Sequence, residues 1–172
     1  MPQTKVARVK PILILNGPGL ARLGEIDRDL YGTDSLDDVR RLCEAACAEN
    51  GYPADFRQSD DTGELLEWIV ETRGDSAGII INPAIATLDS ADVKNAYLAI
   101  MHALPRVRLP VIEVHLTNLF AQRLEPKVSY DSTASIGFIC GFGIHGYVMA
   151  IKGMVEHLSA VPGSRIEPII TD

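Results

Sequence analysis

The chain has 172 residues, 47% of them hydrophobic and 23% charged, which is typical of a single globular domain with a sizeable buried core. Its formal net charge of −7 and isoelectric point near 5.0 argue against nucleic acid as a partner, because phosphate binding requires a basic patch. No apolar run reaches the ~18 residues that a membrane span needs, and no signal-peptide core is visible near the N-terminus, so we predict a cytoplasmic protein without a membrane partner.

Strand and helix patterns alternate along the chain. Short β-branched runs that stop at Gly, Pro or Asn indicate buried strands, and apolar residues at helical spacing indicate amphipathic helices. In chain order we predict a strand over 11–16, a loop to about 33, a helix over 35–50, a strand over 54–58, a helix over 61–73, a strand over 78–82, a helix over 90–104, strands over 111–115 and 135–140, and a helix over 144–158. This alternation predicts a flavodoxin-like doubly wound α/β domain, in which helices cover both faces of a five-stranded parallel sheet.

The predicted domain occupies residues 11–160. The segments 1–10 and 161–172 lie outside the alternating pattern, so we expect them to be loosely held tails. Within the domain, Ser35 is a candidate helix N-cap because two aspartates follow it in the first predicted turn.

Polar side chains end four of the predicted strands. Asn16 ends the first strand, Gln58 the second, Asn82 the third and His115 the fourth. Because the strands are predicted to be parallel, these ends meet at one edge of the sheet, where open α/β sheets bind their ligands. We therefore predict the functional site at this edge.

His115 is the first candidate for chemistry, because it combines a strand end with a nearby carboxylate. Glu113 lies two residues earlier, and the period of two residues in a strand places both side chains on the same face. A carboxylate in this position can fix the tautomer of a histidine that transfers protons. The alternative is a strand-end histidine whose hydrogen bonds are satisfied without a chemical role.

Other candidate residues are weaker. Cys43 and Cys47 are one helical turn apart without metal-ligand spacing, which indicates buried free thiols in a reducing compartment. The glycines after the first predicted strand lack the spacing of a nucleotide-binding loop. Cys140 and Met149 fit a core, and His145, near a helix start, is a minor site candidate.

Several motifs follow one another along the chain: ILNGPGL, RQSD with GELLEWI, IINPA, PVIEVHLTN and GFICGFGIHGYVMA, with LG and YG after the first. In this order and at these separations they resemble the type II 3-dehydroquinate dehydratases over about residues 11–158. The resemblance implies a flavodoxin-like homo-oligomer, a dodecamer built from trimers, that converts 3-dehydroquinate to 3-dehydroshikimate in the shikimate pathway. It also implies that no metal or cofactor takes part.

The same resemblance implies a role for particular residues. In that family a tyrosinate from the loop after the first strand removes a proton beside the ketone, an enol or enolate forms, and a histidine protonates the departing hydroxyl group. Tyr31 matches the base and His115 the acid, with Glu113 as the partner that orients the histidine. The substrate-binding positions of the family match Asn82, Leu116 and Thr117, the last two at positions that hold the substrate carboxylate.

The phenolate needs a cation or hydrogen-bond donor, because a tyrosine with an unperturbed pKa near 10 is protonated at neutral pH. The family's arginine, five residues before the tyrosine, is Ile26 here, so Arg28, Arg123 and Lys127 are the candidate cations. Arg28 and Arg123 are also candidate substrate contacts. Other departures also remove polar groups or charges: Gly19 replaces an asparagine, Leu88 a histidine, Asn95 an aspartate from a neighbouring subunit, and Gln122 and Pro126 two arginines, with Lys127 adjacent. An insertion of about seven residues at 102–108 makes a trimer or another oligomer as defensible as the dodecamer.

These observations leave more than one function open. The first is a lyase that eliminates water from 3-dehydroquinate or from a less hydroxylated cyclic β-hydroxy ketone, since a site that loses polar groups favours a less polar ligand. The second is a catalytically silent relative that binds a small metabolite. A third uses the same acid and base for isomerisation or aldol-type cleavage.

Overall fold

The computed structural model describes residues 9–72, 74–84, 91–120 and 135–160. These residues form five strands, β1 (Ile12–Asn16), β2 (Ala54–Gln58), β3 (Gly78–Asn82), β4 (Val111–His115) and β5 (Gly137–Cys140). They also form the helices α1 (Arg28–Tyr31), α2 (Leu36–Glu49), α3 (Thr62–Glu71), α4 (Ala91–Val107) and α5 (His145–Ser159), with a 3-10 turn at Leu20–Arg22.

The strands form one parallel sheet in the order β2-β1-β3-β4-β5. Alternate residues of the central strands point to opposite faces, as the period of a strand requires. On one face, Ile12, Ile14 and Ile80 pack with side chains of α2 and α5. On the other, Leu13, Leu15, Ile79 and Ile81 pack with side chains of α3 and α4. The predicted five-stranded parallel sheet with helices on both faces is therefore confirmed.

Local sequence accounts for the start of α2. The Ser35 hydroxyl accepts a hydrogen bond from the Asp38 backbone N–H at 3.2 Å, and the Asp38 carboxylate accepts one from the Ser35 backbone N–H at 2.8 Å. These reciprocal bonds form a capping box, which satisfies two backbone donors that a helix start leaves unpaired. The predicted N-cap is confirmed.

Three predictions from the sequence differ from the structure. The predicted loop after β1 contains the 3-10 turn and α1. α4 continues to Val107, through Pro105, because Leu104 and Val107 are buried on the sheet; Arg108, with φ of 55°, then ends it. Met149 is 44% exposed rather than in the core, since it faces away from the buried side of α5.

No helix within the described ranges is long and apolar enough to cross a membrane.

Candidate active site

A cavity of about 200 Å³ lies beside the carboxyl ends of β3 and β4, under the segment that follows β1. It is lined by Pro18, Gly19, Leu20, Leu23, Ile26, Tyr31, Asn82, Ala84, His115, Leu116, Thr117 and Leu119. Five residues selected from the sequence, Tyr31, Asn82, His115, Leu116 and Thr117, therefore meet at one cavity. Its position is the one expected for ligand binding in an open α/β sheet.

His115 and Glu113 form a buried pair at the end of β4. The His115 Nε2 atom lies 2.6 Å from the Glu113 Oε1 atom, and the side chains are 4% and 1% exposed. His115 lines the cavity and Glu113 does not, so the carboxylate holds the imidazole from behind. The Phe138 ring, 5.1 Å from the imidazole centre, packs against the same histidine. The histidine is therefore buried and hydrogen-bonded, and it also lines the cavity.

A tyrosine that was not selected from the sequence contacts this pair. The Tyr97 hydroxyl on α4 donates to Glu113 Oε1 across 3.4 Å, and its side chain is 1% exposed. A buried tyrosine usually forms a hydrogen bond through its hydroxyl group. A tyrosine predicted on the buried face of a helix is therefore a candidate partner for a buried polar group. Sequence periodicity alone assigns Tyr97 only to the apolar face of a helix.

Tyr31 is the last residue of α1, and its half-buried side chain lines the cavity. Burial raises its pKa above the ordinary value of 10.0, and the negative charge of Asp27 raises the pKa further. Arg28 does not line the cavity: its Nε atom donates to the Gly24 carbonyl at 2.8 Å, and its side chain is exposed. The structure therefore surrounds the phenol with conditions that favour its neutral form.

Of the other positions named from the sequence, five lie outside the described residues: Leu88, Gln122, Arg123, Pro126 and Lys127. Asn95 is exposed on α4. The remaining candidate, His145, lines a neighbouring depression that shares Tyr31, Leu116 and Thr117 with the cavity.

Asn82 belongs to a chain of buried hydrogen bonds. Its Nδ2 atom donates to the Tyr147 hydroxyl at 2.9 Å, and that hydroxyl donates to Asn16 Oδ1 at 2.6 Å. The Asn82 Oδ1 atom accepts from the Ala84 backbone N–H at 3.0 Å. Burial raises the pKa of Tyr147, so its hydroxyl stays neutral.

The rest of the cavity wall is mainly apolar. Its remaining side chains belong to Pro18, Leu20, Leu23, Ile26, Ala84 and Leu119. Gly19, with φ of 85°, contributes backbone only, and its N–H donates to Asp60 Oδ1 at 2.9 Å. Among the lining residues that the structure describes, His115 and Tyr31 carry the only ionisable side chains. Such a wall offers few partners for ligand hydroxyl groups.

The described residues include no group of three or more His, Cys, Asp or Glu side chains suited to a metal ion. Cys43 and Cys47 are buried free thiols, as predicted, and burial raises the pKa of both, that of Cys47 to about 11. Cys140 is also a free thiol but is only partly buried.

Comparisons with known proteins give a consistent result. The family model described as Dehydroquinase class II matches residues 10–155. The chain is 40% identical over 151 residues to 3-dehydroquinate dehydratase 2 of Pseudomonas aeruginosa, covering 88% of this chain and 97% of that protein. It is 42% identical over 153 residues to 3-dehydroquinate dehydratase of Streptomyces avermitilis, covering 88% and 92%.

Solved structures agree with the sequence comparisons. The type II dehydroquinase from Propionibacterium acnes superposes with a TM-score of 0.74 at 33% identity, over 86% of this chain and 97% of that chain. The type II dehydroquinase from Butyrivibrio crossotus gives a TM-score of 0.69 at 27% identity, over 85% and 97%.

Proposed function

The chain belongs to the class II dehydroquinase family, and from this membership we propose that it is a hydro-lyase acting on 3-dehydroquinate or a less hydroxylated cyclic β-hydroxy ketone. The observation that carries the proposal is the meeting of Tyr31 with the His115–Glu113 pair at one cavity. A base and an acid that share a small, mainly apolar cavity can act on the same bound molecule.

In the proposed reaction, the Tyr31 phenolate removes a proton from the carbon beside the ketone, and the electron pair moves into an enolate. His115 then protonates the β-hydroxyl group, which leaves as water when the carbon–oxygen bond breaks and the conjugated enone forms. Glu113 keeps the imidazole oriented through its 2.6 Å contact. Asn82 and the segment Leu116–Thr117 bind polar groups of the substrate, including its carboxylate. No metal or cofactor is required for these steps.

Formation of the phenolate is the demanding step, because burial and Asp27 raise the pKa of Tyr31. We propose that a cation approaches the hydroxyl when substrate binds. The candidates are Arg28, three residues earlier in the same short helix, and Arg123 and Lys127, which follow β4 in the chain. A cation near the phenol favours its anion and lowers its pKa.

The apolar wall supports a substrate with fewer hydroxyl groups than 3-dehydroquinate. Ile26 and Leu23 offer no hydrogen bonds to ring hydroxyls, and Gly19 presents no side chain. A polar ligand group that enters an apolar site loses its bonds to water without replacing them.

Turnover can be followed by the ultraviolet absorbance of the conjugated enone. We expect the wild-type protein to convert 3-dehydroquinate or a deoxy analogue, and Tyr31→Phe and His115→Gln each to lower kcat by at least about 100-fold, the usual range for loss of a general acid or base. Tyr52→Phe is a matched control, since Tyr52 packs on the core of α2 rather than at the cavity. Wild-type turnover no faster than that of Tyr31→Phe contradicts the proposal.

A second candidate is a silent relative that binds a metabolite, and the raised pKa of Tyr31 is the observation that favours it. In that case 3-dehydroquinate raises the melting temperature without any enone appearing. If mass spectrometry finds no product at saturating 3-dehydroquinate, the result supports this candidate. A new product with the same mass as the substrate supports isomerisation.

We also propose a cytoplasmic homo-oligomer built from trimers, with a small-molecule substrate and neither nucleic acid nor membrane as partner. Exposed apolar side chains beside β5 support self-association: Ile136, which precedes the strand, is 42% exposed, and Phe120 is 69% exposed.

A further inference from the structure

The two asparagines at the ends of β1 and β3 are joined by one buried hydroxyl group. Tyr147 lies on α5, packed against the sheet, and its side chain is 1% exposed. Its oxygen contacts both amides, Asn82 Nδ2 at 2.9 Å and Asn16 Oδ1 at 2.6 Å. Asn82 lines the cavity, whereas Tyr147 does not.

Backbone groups at the two ends fix the direction of every bond in this chain. The Ala84 N–H can only donate, so the Asn82 atom that faces it is the oxygen, and the amide nitrogen faces Tyr147. The Arg57 carbonyl can only accept, so the Asn16 atom 3.0 Å from it is the nitrogen, and the amide oxygen faces Tyr147. The Tyr147 hydroxyl must therefore donate to Asn16 and accept from Asn82.

From this arrangement we propose that Tyr147 is a positioning residue that holds the Asn82 amide in one orientation at the cavity wall. One Nδ2 hydrogen of Asn82 is bound by Tyr147, and the other is held ready to donate to an acceptor oxygen of the ligand. Without the hydroxyl, the buried nitrogen loses its partner and the amide can rotate toward the cavity. The role in turnover rests on the proposed lyase function, whereas the hydrogen bond itself does not.

Kinetics give the first test. Tyr147→Phe removes one oxygen atom. We expect kcat/KM to fall about tenfold, which is the size of effect that the loss of one buried hydrogen bond usually has. Because Tyr147 acts through Asn82, the double variant Tyr147→Phe/Asn82→Ala loses no more than Asn82→Ala alone. A merely structural role makes the two losses multiply. Tyr52→Phe is the matched tyrosine control.

Nuclear magnetic resonance gives a test that needs no activity. The chain has five asparagines, so ¹⁵N-asparagine labelling yields few side-chain signals, and Asn82→Asp assigns that of Asn82. In the wild-type protein we expect one Nδ2 hydrogen of Asn82 to exchange with solvent much more slowly than the other. Tyr147→Phe removes this protection, while the Asn16 signal keeps the protection that its bond to Arg57 provides.

The two tests fail separately. Absence of turnover in the wild-type protein overturns the lyase proposal and leaves the exchange measurement to decide the role of Tyr147. If Tyr147→Phe does not fold, the wild-type exchange rates still decide it. Two equally exposed Asn82 hydrogens in the wild-type protein, or an unchanged Asn82 signal in Tyr147→Phe, overturn the inference.

Discussion

Glu113 is the residue that contacts the proposed acid, His115, from outside the cavity. Glu113→Gln keeps the size of the side chain but replaces the carboxylate that contacts His115 at 2.6 Å. We expect kcat to fall by about 100-fold with little change in KM, because the substrate does not contact this residue. The measurement is steady-state kinetics, with Glu44→Gln on the exposed side of α2 as control. A change confined to KM contradicts a role in orienting the histidine.

Asp27 contributes to the raised pKa of Tyr31. Burial is the main cause of the raised pKa of Tyr31, and the charge of Asp27 is the second cause. Asp27→Asn removes the second cause only, so the pKa of Tyr31 falls and the phenolate forms at lower pH. Asparagine also accepts the left-handed backbone at this position, where φ is 38°.

The phenolate difference spectrum in the ultraviolet measures this shift. If Tyr31 is the base, the alkaline rise of kcat/KM moves to lower pH together with the spectrum. Asp29→Asn, in the same short helix, is the matched control and leaves the titration unchanged. A pH profile that stays in place while the titration moves separates Tyr31 from the chemistry.

At the scale of elements, α2 depends on its capping box. Ser35→Ala removes the hydroxyl that bonds Asp38, and we expect the free energy of unfolding at neutral pH to fall by about 1 kcal/mol. The Ser35 hydroxyl is the main reason that the pKa of Asp38 lies near 2 rather than 3.8. An interaction that lowers the pKa of a carboxyl group stabilises the folded protein at pH values above the pKa of that group in the unfolded chain. This stabilisation is lost as the pH falls through the pKa of the group in the folded protein.

We therefore expect the difference in the free energy of unfolding between Ser35→Ala and the wild-type protein to be largest above about pH 4 and to shrink as the pH falls toward 2. Urea denaturation at several pH values measures it, with Thr33→Ala, at an exposed position, as control. A difference that stays constant down to the lowest pH contradicts the assigned role of Asp38.

The turn after β1 is tightly packed against the turn after β3. A Cβ atom at Gly17 would lie 2.7 Å from the Pro83 carbonyl oxygen, and the Gly17 N–H donates to the Asn82 carbonyl at 2.8 Å. We expect Gly17→Ala to destabilise the protein by about 1–3 kcal/mol, as overpacking does, and to lower kcat/KM by displacing Asn82. Gly137→Ala is the control, because its Cβ makes an ordinary contact with Ile112 at 3.6 Å. Equal stability of the two variants contradicts the argument.

On the scale of the whole molecule, β5 forms one edge of the sheet and exposed apolar side chains flank it. We expect light scattering after size exclusion to give a multiple of the 18.7 kDa chain mass, in steps of three. Phe120→Asp and Ile136→Asp should release smaller species, because a charge cannot be buried there without cost. Val70→Asp, on α3 at a position more exposed than Ile136 and slightly less exposed than Phe120, should not. A wild-type mass of one chain contradicts the trimer.

Sequence patterns predicted the strands of this protein better than its short helix α1 and its long-range side-chain contacts. The runs that form β3 and β4 are rich in β-branched residues, so their bounds followed directly, and Asn82 and His115 could be placed because strand ends converge. α1 has only four residues and follows Asp27, whose backbone is in the left-handed region, so the helix is too short to produce a periodic pattern in the sequence. Tyr97 and Tyr147 were missed because their partners are distant in sequence and only packing reveals them.

The cavity wall is divided between two kinds of backbone. Asn82 and His115 stand on strand ends held by parallel pairing, whereas Pro18, Leu20 and Ile26 belong to the connection after β1. Substitutions in residues 18–26 can therefore change which ring the cavity admits, while the sheet keeps His115 and Asn82 in place and Tyr31 lies outside that range. Chimaeras that exchange residues 18–26 between homologues should inherit the donor's selectivity and keep the recipient's chemistry.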